Sequence, residues 1–314
     1  MKQYIKKRLL RLLPLLLAIT FLSFGMMRMA GSDVVEQKME NTGSSISQEA
    51  VDAAREELGL DKPFLTQYLV WLKNMLQGDM GTSYVSGKPV LETFLSKLPA
   101  TLLLTVLSIL LTVLISIPLG ILAAIHQNRC SDYLIRTVSF IGNSLPNFFV
   151  ALLLMYLFAI RLGWLPVIAK GVSFSSVVMP AMTLAIAMSA KYIRQVRAAI
   201  LEELSQDYVI GAKARGIRFS VILWRNVLKS SLVTLLTLLM LSVGNLLGGT
   251  AVVESIFMWD GVGKMAVDAI SMRDYPMIQA YVMWMAVIYV AINLLTDISY
   301  RFLDPRIRLG GEEA

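Results

Sequence analysis

Residues 100–125 read ATLLLTVLSILLTVLISIPLGILAAI, twenty-six positions without a charged side chain. Coiled as an α-helix at 1.5 Å per residue, such a run exceeds the roughly 30 Å of hydrocarbon in a bilayer. Working outward, further apolar runs flanked by charge occupy residues 9–29, 138–160, 177–188, 232–253 and 280–300. The run at 177–188 is the shortest and stops before Lys191. Together they predict an all-α membrane protein with about six transmembrane helices. Composition agrees, since 56% of the 314 residues are hydrophobic and 16% charged, against roughly 25% charged in a soluble domain. Disorder is excluded, and a water-soluble globule is disfavoured.

The first run follows Lys2, Lys6, Lys7, Arg8 and Arg11. A secretory signal also begins with basic residues, but its apolar stretch is about 7–15 residues, so an uncleaved first helix is expected. By the positive-inside rule these cations hold the N-terminus in the cytoplasm, and six spans return the C-terminus to the same side. The segments this places inside carry 18 of the 29 Lys and Arg, whereas residues 31–98 hold ten acidic and six basic residues and suit the outer side. Topology therefore explains the net charge of +7 and pI of about 9.4. A nucleic-acid binder would instead gather its cations on a soluble face among aromatics.

Chemistry is scarce. Cys130 is the single cysteine and His126 the single histidine, which excludes an intrachain disulfide and a cysteine-cluster metal site. A serine hydrolase would have to use His126, a residue of a short basic loop. There is no HExxH and no GxxxxGK[ST], so the chain does not hydrolyse ATP by itself. No catalytic residue, bound metal or cofactor is expected. Eighteen methionines scattered through apolar runs read as packing.

The outer segment carries a helix signal from 47 to 58, closed by Gly59, and a second amphipathic stretch after Pro63 with Phe64, Tyr68, Trp71, Leu72 and Met75 at helical spacing. It reads as a cap or interfacial helix, with contact to an external delivery protein as the sharper alternative. Glu254 and Asp297 lie at or near spans, where carboxylates are costly. Each either caps and pairs locally or serves in a pathway or gate. Gly244 and Gly248, followed by Gly249, form a GxxxG suited to close helix packing.

The most informative segment is the inner loop, 191–229. Asp207, Tyr208, Ala212 and Ala214 fall in a stretch of small residues that predicts a short helix ended by Gly216. A second amphipathic helix is expected after it, with Ile222, Asn226 and Leu228. Two short helices at an angle would project into the cytoplasm.

This loop resembles the EAA loop of ABC importer permeases. In that family Glu-Ala-Ala is followed three residues later by Gly, and ten residues after that Gly by Ile-x-Leu-Pro. Here the leading positions are Ile210, Gly211 and Ala212, the glycine is Gly216, and Asn226, Leu228 and Lys229 close the pattern. The Glu, first Ala, Ile and final Pro are thus replaced. The run DYVIGAKARGI, with ILWRNVLK after it, is similar to the dipeptide, oligopeptide and nickel subgroup. Similarity continues in LGLDKPFLTQYLVWLKNMLQGDMGTSY, LPATLLL, NSLPNFF, GGTAVVESIF, RDYPMIQA and NLLTDISYRFLDPRIR, covering nearly the whole chain. One departure is WDGVG, where the subgroup usually has Pro in place of Asp260.

The resemblance implies the type I ABC importer permease fold and a multi-pass protein of the bacterial plasma (inner) membrane. It divides the chain into an N-terminal helix at 1–30, an extracytoplasmic segment at 31–98, a permease domain at 99–303 and a tail at 304–314. Implied partners are a homologous second permease subunit, two ABC ATPase subunits that bind ATP and Mg, an extracytoplasmic substrate-binding protein and membrane lipid, but no nucleic acid. The short helix around Ala212 to Gly216 would couple the ATPases to a rocking of the spans. NSLPNFF and QYLVWLKNMLQGDMGTSY lean the substrate toward nickel or a metal chelate, with di- or oligopeptides as the alternative. An ion-coupled transporter or channel would need paired intramembrane charges or broken helices, which the sequence does not plainly show. A purely structural subunit leaves the glycine-broken loop unexplained.

Overall fold

The structure is a computed structural model and describes residues 2–29, 61–168 and 171–303. The helix signal at 47–58 and the tail at 304–314 lie outside the described residues. Among the described residues the chain is helical, with one isolated antiparallel bridge between Thr82 and Pro89. It divides into two compact units, residues 1–99 with 265–291 and residues 100–264 with 292–314.

In the first unit, α1 (Lys2–Met29) is met by α2 (Phe64–Leu76). The α2 helix starts where Pro63 fixes the chain and its carbonyl accepts from the N–H groups of Thr66 and Gln67 at 2.9 and 3.1 Å. The aromatic stripe expected after Pro63 faces α1. Phe21 meets Phe64 and Tyr68 edge-on at 5.5 and 5.2 Å, and Phe24 lies 5.4 Å from Trp71. The Tyr68 hydroxyl shares a 3.0 Å hydrogen bond with Thr20, so the polar tip of this buried ring is satisfied. Further along, Asp274 accepts from Ser83 Oγ at 2.5 Å and from the Tyr84 N–H at 3.1 Å. Trp284 stacks on Phe94 at 5.8 Å.

The second unit takes α3 (Val90–Ile125) from residue 100 onward, then α4 (Cys130–Ser144), α5 (Asn147–Leu154) and α6 (Phe174–Leu204). A short α7 (Asp207–Ala214) and the long α8 (Leu228–Phe257) follow. Here α9 (Val262–Ser271) begins; α10 (Tyr275–Leu303) is the last helix among the described residues. Polar residues inside α3 are reconciled with an apolar run locally. The hydroxyls of Thr105, Ser108 and Thr112 each donate to the carbonyl four residues back at 2.7–2.8 Å, and Ser116 does the same to Thr112.

Among the described residues four helices are long and apolar enough to cross a membrane, or five if the pair α4 and Asn147–Arg161 counts as one broken span; residues 13–29 of α1 form a shorter apolar helix. The structure departs from the six-run reading in three places. The run at 138–160 is not straight. Leu145 and Pro146 adopt extended backbone, as the residue before a proline tends to, and the two halves meet at 104°. The run at 177–188 does not stop at Lys191, because α6 continues to Leu204 and buries Tyr192, Ile193, Val196, Ala199 and Ile200. The connector is therefore 205–227 rather than 191–229. Finally, the second amphipathic helix is not separate. A single turn at Phe219–Val221 and a wider-wound stretch at Ile222–Val227 run directly into α8, with no proline to interrupt them.

Close helix approach occurs at Gly120, whereas Gly248 of the GxxxG stands open. A Cβ on Gly120 would lie 2.5 Å from the Cβ of Val196 and 3.0 Å from the Ile193 carbonyl. Gly248 has nothing within 4 Å of that position, and Gly249 only the Asn147 amide at 3.9 Å. We expect Gly120→Ala to destabilise the fold by about 1–3 kcal/mol through overpacking. Because the nearest clash is with the Val196 Cβ, Gly120→Ala should cost less in a Val196→Gly background than in the parent or in Val196→Ala; thermal unfolding of the single and double variants in detergent measures that coupling.

Candidate functional site

The segment from α7 to the start of α8 forms a small projecting body with an anchored side and an open side. Its anchors are Val209, Ala212, Ile222, Leu223 and Val227, buried in one cluster with Ile121, Ala124, Val196 and Ile200. Leu228 packs against that cluster. The open side carries Tyr208, Ile210, Ile217, Phe219, Val221 and Trp224, with Ile210 60% and Trp224 59% exposed. Asp207, Ala214, Gly216 and Asn226 are exposed as well.

Local chemistry explains the shape. The expected stop at Gly216 is present: its φ is +73°, a left-handed conformation that glycine accepts without penalty. Its N–H donates to Lys213 O at 2.9 Å and the Ile217 N–H to Ala212 O at 3.2 Å, which satisfies the last carbonyls of α7. The Tyr208 hydroxyl donates to Glu203 Oε2 at 2.8 Å. Partial burial, and then that carboxylate, push Tyr208 up to about 12, so it remains a neutral donor near neutral pH.

Within this loop Ala212 and Ile222 point into the chain's own core, where the small Ala212 lets α7 lie close. Conversely, Ile210, Ile217, Phe219 and Trp224 form the exposed apolar side. Period alone could not separate the two sides, because residues of both lie within a few positions of one another.

A feature absent from the sequence reading ties this region down. Arg197 Nε and Nη2 donate to the two carboxylate oxygens of Asp132 at 2.7 and 2.8 Å, and the Asn128 N–H reaches Asp132 Oδ2 at 2.9 Å. Asp132 is fully buried. The fork-to-fork geometry fixes the start of α4 against α6.

Glu254, left open between a local cap and a gate, is also fully buried. Its Oε1 accepts from Thr101 Oγ1 at 2.8 Å and its Oε2 from the Lys264 N–H at 2.9 Å, while Thr101 Oγ1 itself accepts from the Val262 N–H at 2.9 Å. Those amides open α9, so a carboxylate and a hydroxyl cap its N-terminus. The glycines beside them are required for space. A Cβ on Gly261 would overlap Glu254 Oε2 and Thr101 Oγ1, and one on Gly263 would lie 2.6 Å from Ala251 Cα. Asp260, the departure in WDGVG, is the central residue of a three-residue turn closed by Gly261 N–H to Trp259 O at 2.8 Å. Its φ is not positive, so the turn suits Asp as well as Pro. The side chain of Asp297 lies outside the described residues. Among the described residues no cluster of His, Cys, Asp or Glu is arranged to hold a metal ion.

Among the described residues, several helices long and apolar enough to cross a membrane, together with the helical body at α7, are the fold that any known relative must match. The family described as "Binding-protein-dependent transport system inner membrane component" matches residues 116–309, and its N-terminal counterpart matches residues 1–105. The chain belongs to this family and is a multi-pass, non-catalytic permease subunit of an ABC importer in the bacterial plasma membrane. It is 40% identical over 317 residues to the oligopeptide transport system permease protein AppB of Bacillus subtilis (strain 168), covering 98% of this chain and 99% of that one. It is 35% identical over 308 residues to the glutathione transport system permease protein GsiC of Escherichia coli (strain K12), with 98% and 99% covered. In fold it is similar to an inward-facing structure of the MetNI methionine ABC transporter, with a TM-score of 0.57 and 17% identity over 68% of this chain and 96% of that one. Such an assembly contains ATPase partners and a pair of permease subunits.

Proposed function

We propose that this subunit forms half of a translocation path for short peptides, and that the body from α7 to the head of α8 transmits ATP-driven movement to it. The substrate reading is supported by AppB and GsiC, whose names specify oligopeptide and glutathione, itself a tripeptide. The lean toward nickel finds no matching support and gives way to the peptide alternative. The coupling reading rests on one observation. The projecting body is anchored by buried residues to the same cluster as α6 and α8, so a push on its open face moves those helices with it. Exposed Ile210, Ile217, Phe219 and Trp224 give an ATPase an apolar contact, and Gly216 holds the turn between α7 and the next helical segment.

In this reading both termini and the coupling body are cytoplasmic, as the basic residues require. ATP and Mg bind the ATPase partners, Asp207 and Tyr208 open the coupling helix, and an extracytoplasmic binding protein delivers the peptide. In a strain lacking the chain, restoring it should restore uptake of labelled di- and tripeptides at least about tenfold above background and leave labelled nickel uptake unchanged. The converse pattern would return the substrate to nickel.

A further inference from the structure

The break between α4 and α5 opens a cavity of about 180 Å³, lined by Asn143 and Asn147 on either side of the break, Lys191 of α6 and Ser242 of α8, with apolar walls that include Leu184 and Leu246. All of these residues belong to the second unit. Lys191 falls near the middle of α6, itself a candidate span, so the cavity opens at depth along that helix. Broken helices and ionisable side chains at such depth are costly, and where they occur they mark substrate sites.

The donor set selects the occupant. Lys191 is the single charged residue of the lining, and its ammonium offers only donors. Among the described residues neither the Asn143 nor the Asn147 amide has a hydrogen-bond partner, and no carboxylate pairs with Lys191. Ser242 donates to Leu238 O at 2.8 Å and the Tyr192 hydroxyl to Leu235 O, so both of those protons are committed. One ammonium and two open amides favour an anion with planar oxygens. A metal cation would meet a positive charge and no imidazole, thiolate or carboxylate. A cavity of about 180 Å³ accommodates a carboxylate with the residue that bears it.

We propose that this cavity receives the C-terminal carboxylate of the peptide in transit, with Lys191 as its charged contact and Asn143 and Asn147 as amide donors. The proposal rests on the peptide reading of the substrate. Every unmodified peptide ends in that group, so a site for it tolerates any side-chain sequence. The stretch NSLPNFF then has a physical role: Pro146 breaks the helix, and the two asparagines four residues apart flank the break.

The test uses the complete importer in proteoliposomes, with ATP inside and one labelled tripeptide supplied either as the free acid or as the C-terminal amide. The binding protein is the same in every arm, so a change in the acid-to-amide uptake ratio reports the permease. Lys191→Met should lower that ratio at least about tenfold, and Lys191→Arg should retain most of it. Asn147→Asp, which places a competing carboxylate beside Lys191, should lower the ratio as well. A ratio unchanged in Lys191→Met overturns the site, as does an equal loss of both peptides, which would assign Lys191 to insertion or to lipid phosphate. Uptake of nickel but of neither peptide by the unaltered importer would instead overturn the peptide reading itself.

Discussion

Gly216→Val is expected to leave the chain in the membrane while lowering peptide uptake at least about tenfold. The position has open space around it, with nothing within 4 Å of a Cβ, so the effect is not a clash. It comes from the backbone. At φ +73° an L-residue pays about 1–2 kcal/mol, and a β-branched one is a severe outlier. Relaxing that strain breaks the bonds from the Gly216 and Ile217 N–H groups to α7, and it moves the Phe219 ring away from the Lys213 ammonium that lies 5.8 Å from its centroid. Gly216→Asn, which tolerates the left-handed region, should keep most of the uptake. Immunoblots of membranes, ATP hydrolysis and labelled-peptide uptake, measured together, separate uncoupling from loss of the protein. Normal uptake by Gly216→Val would remove this turn from the coupling mechanism.

Glu254→Ala should act differently, by preventing accumulation of folded protein. It strands the Lys264 N–H and the Thr101 hydroxyl in a buried site that water does not replace, at about 1–3 kcal/mol for each orphaned group. The loss is a large part of the 5–15 kcal/mol that holds an ordinary domain together. Glu254→Gln preserves the shape and one acceptor and should cost less. The readouts are the amount of chain in membranes and its unfolding temperature in detergent. A Glu254→Ala chain that accumulates and melts like the parent but fails in uptake would move this carboxylate from structure to pathway.

The fold was legible where one physical requirement dominates. Long apolar runs must become helices in lipid, and residues 100–125 therefore announced α3 without ambiguity. The α2 stripe from Phe64 to Met75 and the stop at Gly216 were equally readable, since each follows from helical period or from glycine's access to positive φ. What stayed hidden depends on partners distant in sequence. Nothing local to Asp132 indicates Arg197, and nothing local to Glu254 indicates Thr101. Lys191 looked like the end of a span because a cation in lipid is costly. Residues 192–200 nevertheless continue α6, since their apolar side chains find a core to enter. The GxxxG drew attention to Gly248, which stands open, whereas a close approach lies at Gly120, where Val196 happens to face it. The inward and outward sides of α7 were likewise undecided until the cluster around Val209 and Ala212 showed which one is covered.

The most direct test of the account is the energy source for uptake. Reconstituted with its second permease subunit, the ATPases and the binding protein, this chain should accumulate labelled peptide in proteoliposomes only when ATP is hydrolysed on the cytoplasmic side. Proton or sodium gradients alone should drive none, and Gly216→Val should lower the peptide accumulated per ATP consumed. Accumulation driven by an ion gradient without ATP, or by this chain without its ATPase partners, would contradict the account.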